Sequence, residues 1–312
     1  MQQLYLGIEI GGSKLPIVLG DESARIVRRW RLTVDPKQGG AGIREQIKAT
    51  LSELASFAVL RGVGVGFGGP VDWRTGQIRC SHQVQGWADF QLRDWLREVT
   101  QVQVPVRVDN DANTASLGEA LHGAGRGFNP VFYVTLGSGV GGGLTVDGRI
   151  YHGAIPGEAE IGHVRLNRRG AIVESRCSGW AVDRKVRALV KQKPDGVLGR
   201  LVGEANRAEA KSLGAALAKG DPDAARILAT TAEDLAFGLS HVVHLLHPEM
   251  IVIGGGLSLL GEPLRAAVAQ ALPRFIMDAF APGPRVALAG LGEDAVPVGA
   301  LELARMGGSL GV

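Results

Sequence analysis

The chain has 312 residues, of which 45% are apolar, 5% aromatic and 21% charged, with 46 glycines and a net charge of +3. That length exceeds what one small core usually supports, so two domains of about 150 residues each are expected. Glycine is used about twice as often as average but without the triplet period of collagen, and the absence of long polybasic runs argues against a nucleic-acid scaffold. Two cysteines, Cys80 and Cys177, are too few for a disulfide framework and fit a reducing compartment. The first residues lack the charged and apolar regions of a signal peptide, and no apolar run approaches the ~18 residues of a membrane span. These features together predict a cytoplasmic α/β protein with no membrane and no nucleic-acid partner.

Residues 4–10 read as a strand, Gly11-Gly12 as a turn and 15–20 as the returning strand. Ile43, Ile47, Leu51, Leu54 and then Phe57 or Ala58 recur at helical spacing, which predicts a helix over 43–60. A Val/Gly strand at 62–67 stops at Gly68-Gly69-Pro70. A short helix at 92–100 precedes a strand at 104–108, which leads into Asp109-Asn110-Asp111 and a helix at 112–121. A second strand, glycine turn and strand, VFYVTLGSGVGGGLTVDGRI, opens at 131–136 and echoes the first, YLGIEIGGSKLPIVLGD. Helices follow at about 180–192, 212–219 and 223–246. An apolar strand at 250–253 ends in Gly254-Gly255-Gly256, and a helix at 262–275, a strand at 286–288 and a helix at 298–306 finish the chain. Two copies of one unit point to a duplicated fold, with parallel inner strands and hairpins at the edges. The expected division is 1–111 plus about 297–312 as a smaller domain and 112–296 as a larger one, hinged just after Asp111.

Gly64, Gly66 and Gly69, and again Gly137, Gly139 and Gly142, match G-x-G-x-x-G by letter. A dinucleotide site needs a helix to start at the third glycine, so that its N-terminus meets the pyrophosphate. Neither stretch runs into a helix, and the dinucleotide reading falls. The alternative is a hairpin turn that holds phosphate through backbone N–H groups, with glycine allowing close approach and positive φ. Gly11, Gly12, Ser13 and Lys14 form one such turn and Gly137, Ser138 and Gly139 another, each offering a hydroxyl.

Asp109-Asn110-Asp111 lies where a strand gives way to a helix, the end of a strand at which α/β proteins build sites. A carboxylate there can accept the proton of an attacking hydroxyl, Asp111 before Asp109, while Asp109 or Asn110 caps the helix. Glu158, Glu160 and His163 form a second polar cluster, suited to sugar hydroxyls or equally to a metal. His241, His244 and His247 drift around a helix and read as ordinary face or cap residues. Arg165, Arg168 and Arg169, and Arg184, Lys185 and Arg187, read as solvated surface.

The ordered motifs IEIGGSK (8–14), GFGGPVD (66–72), VDNDAN (108–113), TLGSGVGGG (135–143), EIGH (160–163) and IVIGGG (251–256) resemble the ROK family of repressors, open reading frames and sugar kinases, particularly its bacterial glucokinase-like members. The resemblance implies a ribonuclease-H-like, actin-like ATPase fold of two domains with a central cleft, and an ATP- and Mg²⁺-dependent hexokinase that is commonly a homodimer or homotetramer. It implies that Gly11 to Lys14 and Gly137 to Gly139 flank the ATP phosphates and that Gly254, Gly255 and Gly256 lie near the adenosine. Asn110, Asp111, Glu160 and His163 would bind sugar hydroxyls, with Asp111 as the base, and Gly68 and Gly69 would wall the sugar cleft. Three positions depart from the family pattern. Glu9 replaces the usual Asp that helps to position magnesium, and Gln83 replaces an Asn expected to contact sugar. The cysteine-rich zinc loop is reduced to the one Cys177, with Glu174 at the place of the family's last sugar-binding Glu, so no zinc is expected. The sugar itself, whether glucose, N-acetylmannosamine, mannose or fructose, and a donor such as polyphosphate stay open, as does a sugar-binding member without kinase activity. A DNA-binding regulator is disfavoured because the first strand begins near Leu4.

Overall fold

Leu4, Leu6, Ile8 and Ile10 all project from one face of the first strand, β1 (Gln2–Ile10), and that alternation sets the first layer. The computed structural model describes residues 2–54, 58–81, 83–100, 104–155, 157, 159–203 and 210–307. After β1 come β2 (Lys14–Gly20), β3 (Ile26–Thr33), α1 (Gly39–Leu54) and β4 (Ala58–Phe67). The short strands β5 (Val71–Asp72), β6 (Gln77–Ile78) and β7 (Phe90–Gln91) form a small antiparallel sheet, followed by α2 (Leu92–Thr100), β8 (Val106–Asn110) and α3 (Asp111–His122). The main sheet runs β3-β2-β1-β4-β8, antiparallel from β1 outward to β3 and parallel from β1 to β8.

The pattern then repeats. β9 (Val131–Leu136), β10 (Val140–Val146) and β11 (Arg149–Ile150) precede α4 (Val173–Cys177), α5 (Gly179–Gln192), α6 (Val197–Val202), α7 (Lys211–Ala218) and α8 (Pro222–Leu246). β12 (Met250–Gly254), α9 (Glu262–Ala271), β13 (Arg285–Leu288) and α10 (Ala295–Met306) complete the described chain. The second sheet runs β11-β10-β9-β12-β13, with β9, β12 and β13 parallel. Strand for strand this is the order of the first sheet, which is the duplication read from the two hairpin units. Contacts divide the chain into two compact units, Met1–Arg126 with Gly143–Glu158 and Glu293–Val312, and Gly127–Gly142 with Ala159–Gly292.

Several expectations are corrected. The helix expected over 43–60 is α1, which ends at Leu54, and residues 58–60 belong to β4. The helix expected to 275 is α9 to Ala271 and a 3-10 turn beyond it, because Pro273 lacks the N–H needed to continue an α-helix. Strand β3 was not anticipated. It has no fully buried residue and carries Arg28, Arg29 and Arg31; only Trp30 and Leu32 pack, half-buried, against the core, and the strand forms by pairing with the open edge of β2.

The glycines of the first G-x-G-x-x-G match also have a packing cause. Along β4, Val63, Val65 and Phe67 face the core that includes α1, while Gly62, Gly64 and Gly66 face α10. A methyl at Gly64 would strike the Ala300 carbonyl oxygen, and one at Gly62 the Ala304 carbonyl oxygen. The strand is glycine-rich so that a helix backbone can lie directly on it. Gly64→Ala is therefore expected to lower unfolding free energy by about 3 kcal/mol, as a core overpacked against backbone does, readable in urea denaturation.

Candidate active site

In the first unit β8 passes into α3 with no intervening loop, which puts Asp109, Asn110 and Asp111 at the carboxyl end of an inner strand. Asn110 is the N-cap. Its Oδ1 accepts the N–H groups of Ala112 at 2.8 Å and Asn113 at 3.4 Å, and its Nδ2 donates to the Gly69 carbonyl at 3.1 Å. With capping assigned to Asn110, Asp111 opens the first turn of the helix and accepts the Ala112 N–H on Oδ1 at 2.8 Å. Gly68 ties this helix start to the end of β1. Its N–H donates to the Ile10 carbonyl at 2.9 Å, and a methyl on it would lie 3.5 Å from Asp111 Oδ2. A second carboxylate stands close by. Burial, and then the negative charge of Asp111, push the Glu9 carboxyl up to about 7; Lys14 opposes this, and Glu293 and Asp294 add to it.

The Gly11–Ser13 turn closes with the Gly11 N–H on the Lys14 carbonyl at 3.2 Å. Neither Gly11 nor Gly12 has positive φ, nor do Gly137 and Gly139, so the expected conformational reason for these glycines is corrected. At Gly12 the reason is space, since the Gln83 side chain lies where a Cβ would be. That contact brings the departure at Gln83 onto the first glycine turn. Lys14 Nζ donates to Glu293 at 2.5 Å, both side chains being exposed.

In the second unit, Gly137 donates its N–H to the Gly139 carbonyl at 3.0 Å, and its own carbonyl accepts the Gly179 N–H at 2.7 Å. Gly179 is the first residue of α5, whose N-cap Ser178 accepts the Ala181 N–H on Oγ at 3.1 Å. The glycine turn thus lies against the positive end of a 14-residue helix. Glu174 reaches the same turn. Its Oε2 accepts the Val140 N–H at 2.9 Å and sits 2.5 Å from where a Gly139 Cβ would stand. A cavity of about 600 Å³ opens here, lined by Gly137, Ser138, Trp180, Asp183, Lys211 and Gly256. The three glycines after β12 divide their tasks. Gly254 gives room to Tyr133, Gly255 has φ +80° and stands within 2.6 Å of Leu136 N were it to carry a Cβ, and Gly256 opens on the cavity. Trp180, Asp183 and Lys211 were not anticipated. The Ser178-Gly179 cap was the available signal for Trp180, whereas nothing in the run before Lys211 marks it.

Glu160 and His163 lie on one 3-10 turn, both exposed, with the His163 N–H donating to the Glu160 carbonyl at 3.0 Å. Glu158 lies outside the described residues. Cys177 is buried, donates to the Thr231 carbonyl at 3.6 Å, and has its thiol pushed up to about 12 by burial, so it behaves as a core residue. Among the described residues no three His, Cys, Asp or Glu side chains are grouped to hold a metal ion. His241 and His244 lie on α8, bonded at Nδ1 to the Phe237 carbonyl and at Nε2 to the Met277 N–H, and His247 is the left-handed C-cap stacked on Phe280. Lys185 corrects the surface reading of its cluster. Its Nζ donates to Thr231 Oγ1 at 2.8 Å, and burial lowers its pKa.

Two five-stranded sheets repeating one order, with parallel inner strands and glycine hairpins, define the α/β actin-like class. The chain belongs to the ROK family, whose model matches residues 5–306. It is 32% identical over 309 residues to the glucokinase of Halalkalibacterium halodurans, covering 95% of this chain and 93% of that one. It is 30% identical over 313 residues to the glucokinase of Thermotoga maritima, covering 97% and 98%. Among solved structures, the ROK family glucokinase of Streptomyces griseus in complex with glucose and AMPPNP superposes with a TM-score of 0.83 at 30% identity, over 97% of this chain and 100% of that chain. No described helix is long and apolar enough to cross a membrane.

Proposed function

We propose that this protein transfers the γ-phosphoryl group of ATP to the 6-hydroxyl of a hexose, with glucose as the substrate. The observation that carries the reading is the division of labour at 109–111. Asn110 caps α3, which leaves the neighbouring Asp111 carboxylate to serve as the base at the end of an inner strand. Asp111 takes the proton of the attacking hydroxyl, and the N-terminal dipole of α3 stabilises the carboxylate before the transfer. In the first unit Asn110 and Gln83 supply amide groups for the other sugar hydroxyls, with Gly68 and Gly69 leaving room for the ring. Glu174 acts in the second unit, where it holds the glycine turn by accepting the Val140 N–H.

ATP fits the second unit, where the Gly137–Gly139 turn and the start of α5 offer N–H groups to phosphate and the adjoining cavity suits a nucleoside beside Gly254 to Gly256. The turn from Gly11 to Lys14 in the first unit offers a hydroxyl and an ammonium of its own, chemistry that suits phosphate. Glu9, whose carboxyl is pushed up by burial first and then by the charge of Asp111, suits a magnesium ion carried in with phosphate, since Mg²⁺ is commonly held by one or two carboxylates plus phosphate oxygens. Bound there, magnesium would neutralise charge on the phosphates.

The test is ADP release by the purified protein with ATP, and separately with polyphosphate, across glucose, mannose, fructose and N-acetylmannosamine. Glucose-stimulated release from ATP supports the reading. Release stimulated by another sugar names a different substrate, and sugar binding without release overturns phosphoryl transfer. Trp180, 64% exposed on the cavity wall, is expected to stack on the base. Trp180→Ala should then raise the KM for ATP about tenfold with little change in kcat, the usual cost of losing one base–aromatic stack.

A further inference from the structure

We propose that the first unit holds a second small-molecule site, for an oxyanion joined to an apolar body, behind the Asp109-Asn110-Asp111 segment. The site is a cavity of about 290 Å³ walled by Trp73, Arg107, Arg149 and His152, with Leu303 and Met306 of α10 on its apolar side. Buried polar atoms in folded proteins are nearly always hydrogen-bonded, and exceptions call for a partner. Two exceptions among the described residues, Trp73 Nε1 and Arg107 Nε, are buried atoms of side chains that wall this one cavity, and both are donors. Arg149 adds a second guanidinium, and neither arginine has an ion pair among the described residues.

The acid on the wall, Asp109, is already engaged. Its Oδ2 meets His152 Nε2 at 2.6 Å, and its Oδ1 accepts the Asn110 N–H at 2.8 Å and Asn113 Nδ2 at 3.0 Å. His152 is held flat against Trp73, with ring centroids 4.1 Å apart. The groups left without partners are therefore donors and cations, which selects an acceptor-rich anion such as a phosphate ester, while Leu303 and Met306 select an apolar or ring-shaped body. The cavity also touches the chemistry at 109–111. Asp109 faces the site with one oxygen and with the other holds Asn110, the cap of the helix that Asp111 opens. An anion drawing His152 from Asp109 shifts that cap and so tunes Asp111. This coupling rests on the proposed kinase reaction, whereas binding at the cavity does not.

The experiment is calorimetric titration of phenyl phosphate into the full chain saturated with AMPPNP, with inorganic phosphate as the bare-anion arm. One site per chain with a Kd of about 1 mM or tighter is expected for phenyl phosphate, and weaker binding for inorganic phosphate. Arg107→Gln and Arg149→Gln should each weaken phenyl phosphate about tenfold, and Trp73→Phe, which keeps the ring and removes the donor, severalfold. Arg149 is exposed, so R149Q carries the test if R107Q fails to fold. Absence of saturable binding, or equal affinity in wild type, R149Q and W73F, overturns the site and assigns water to the buried donors. In hexose-dependent ADP release, phenyl phosphate should alter kcat in wild type and not in R149Q. A protein without kinase activity still gives the binding result.

Discussion

Replacing Asp111 by Asn is expected to lower hexose-dependent ADP release by about 10²- to 10⁴-fold while calorimetric hexose affinity stays within a few fold of wild type. Asn is nearly isosteric with Asp and keeps an oxygen for the Ala112 N–H, so the first turn of α3 and its Asn110 cap survive the change. What is lost is the group that takes the proton, and that loss falls on kcat rather than on ground-state binding. A variant retaining a tenth or more of the wild-type rate would remove Asp111 from the role of base. After burial, the Asp111 charge is the next cause that raises the Glu9 pKa, so D111N should be visible at Glu9 as well.

The second large effect concerns Glu9 and pH. Burial and the neighbouring charge of Asp111 push its carboxyl up to about 7 in the native chain, from an ordinary value of 4.5. Between these pH values the unfolded chain has released the proton while the native chain still holds it, so native stability falls as pH rises through the window and levels off above about 7. The full effect is about 3 kcal/mol, set by burial and by Asp111 together. Glu9→Gln abolishes this term, so in nucleotide-free protein the variant should match wild type near pH 5 and exceed it in stability at pH 8. Urea denaturation at the two pH values gives the comparison. A wild-type stability that is flat from pH 5 to 8, or unchanged in slope by E9Q, would remove Glu9 from the crowded pair. D111N should reduce the same slope, because one of its causes is gone.

The duplicated hairpins, the inner strands and the helix after Asp111 were legible because each rests on local signals: period-two burial, glycine turns and a polar run at a strand's end. β9 and α2 fall where the periodicity predicted them. The assignment of capping to Asn110 was one of the alternatives the residues offered, and a single hydrogen-bond pattern decided it. Other features had no local signal. β3 is three arginines on an edge, made a strand by the unpaired side of β2. Lys185, next to Arg184 in the chain order, finds Thr231 on a different helix.

The glycines show the limit most plainly. Two of their runs, at 11–12 and 137–139, read as phosphate turns, yet the glycines answer to different partners. Gly62, Gly64 and Gly66 make room for α10, Gly12 lies under Gln83, and Gly255 needs its left-handed backbone beside Leu136. Gly137 and Gly256 do border a cavity. Composition and short-range pattern determined the fold class, the duplication and the family of this chain, because those depend on the order of residues along it. What each glycine is for, which carboxylates crowd one another and where Trp73 and Arg107 leave donors unmet depend on residues far apart in the chain meeting at one point. Only the tertiary structure decides such meetings, since van der Waals contact and desolvation act over ångströms in space and not over positions in sequence.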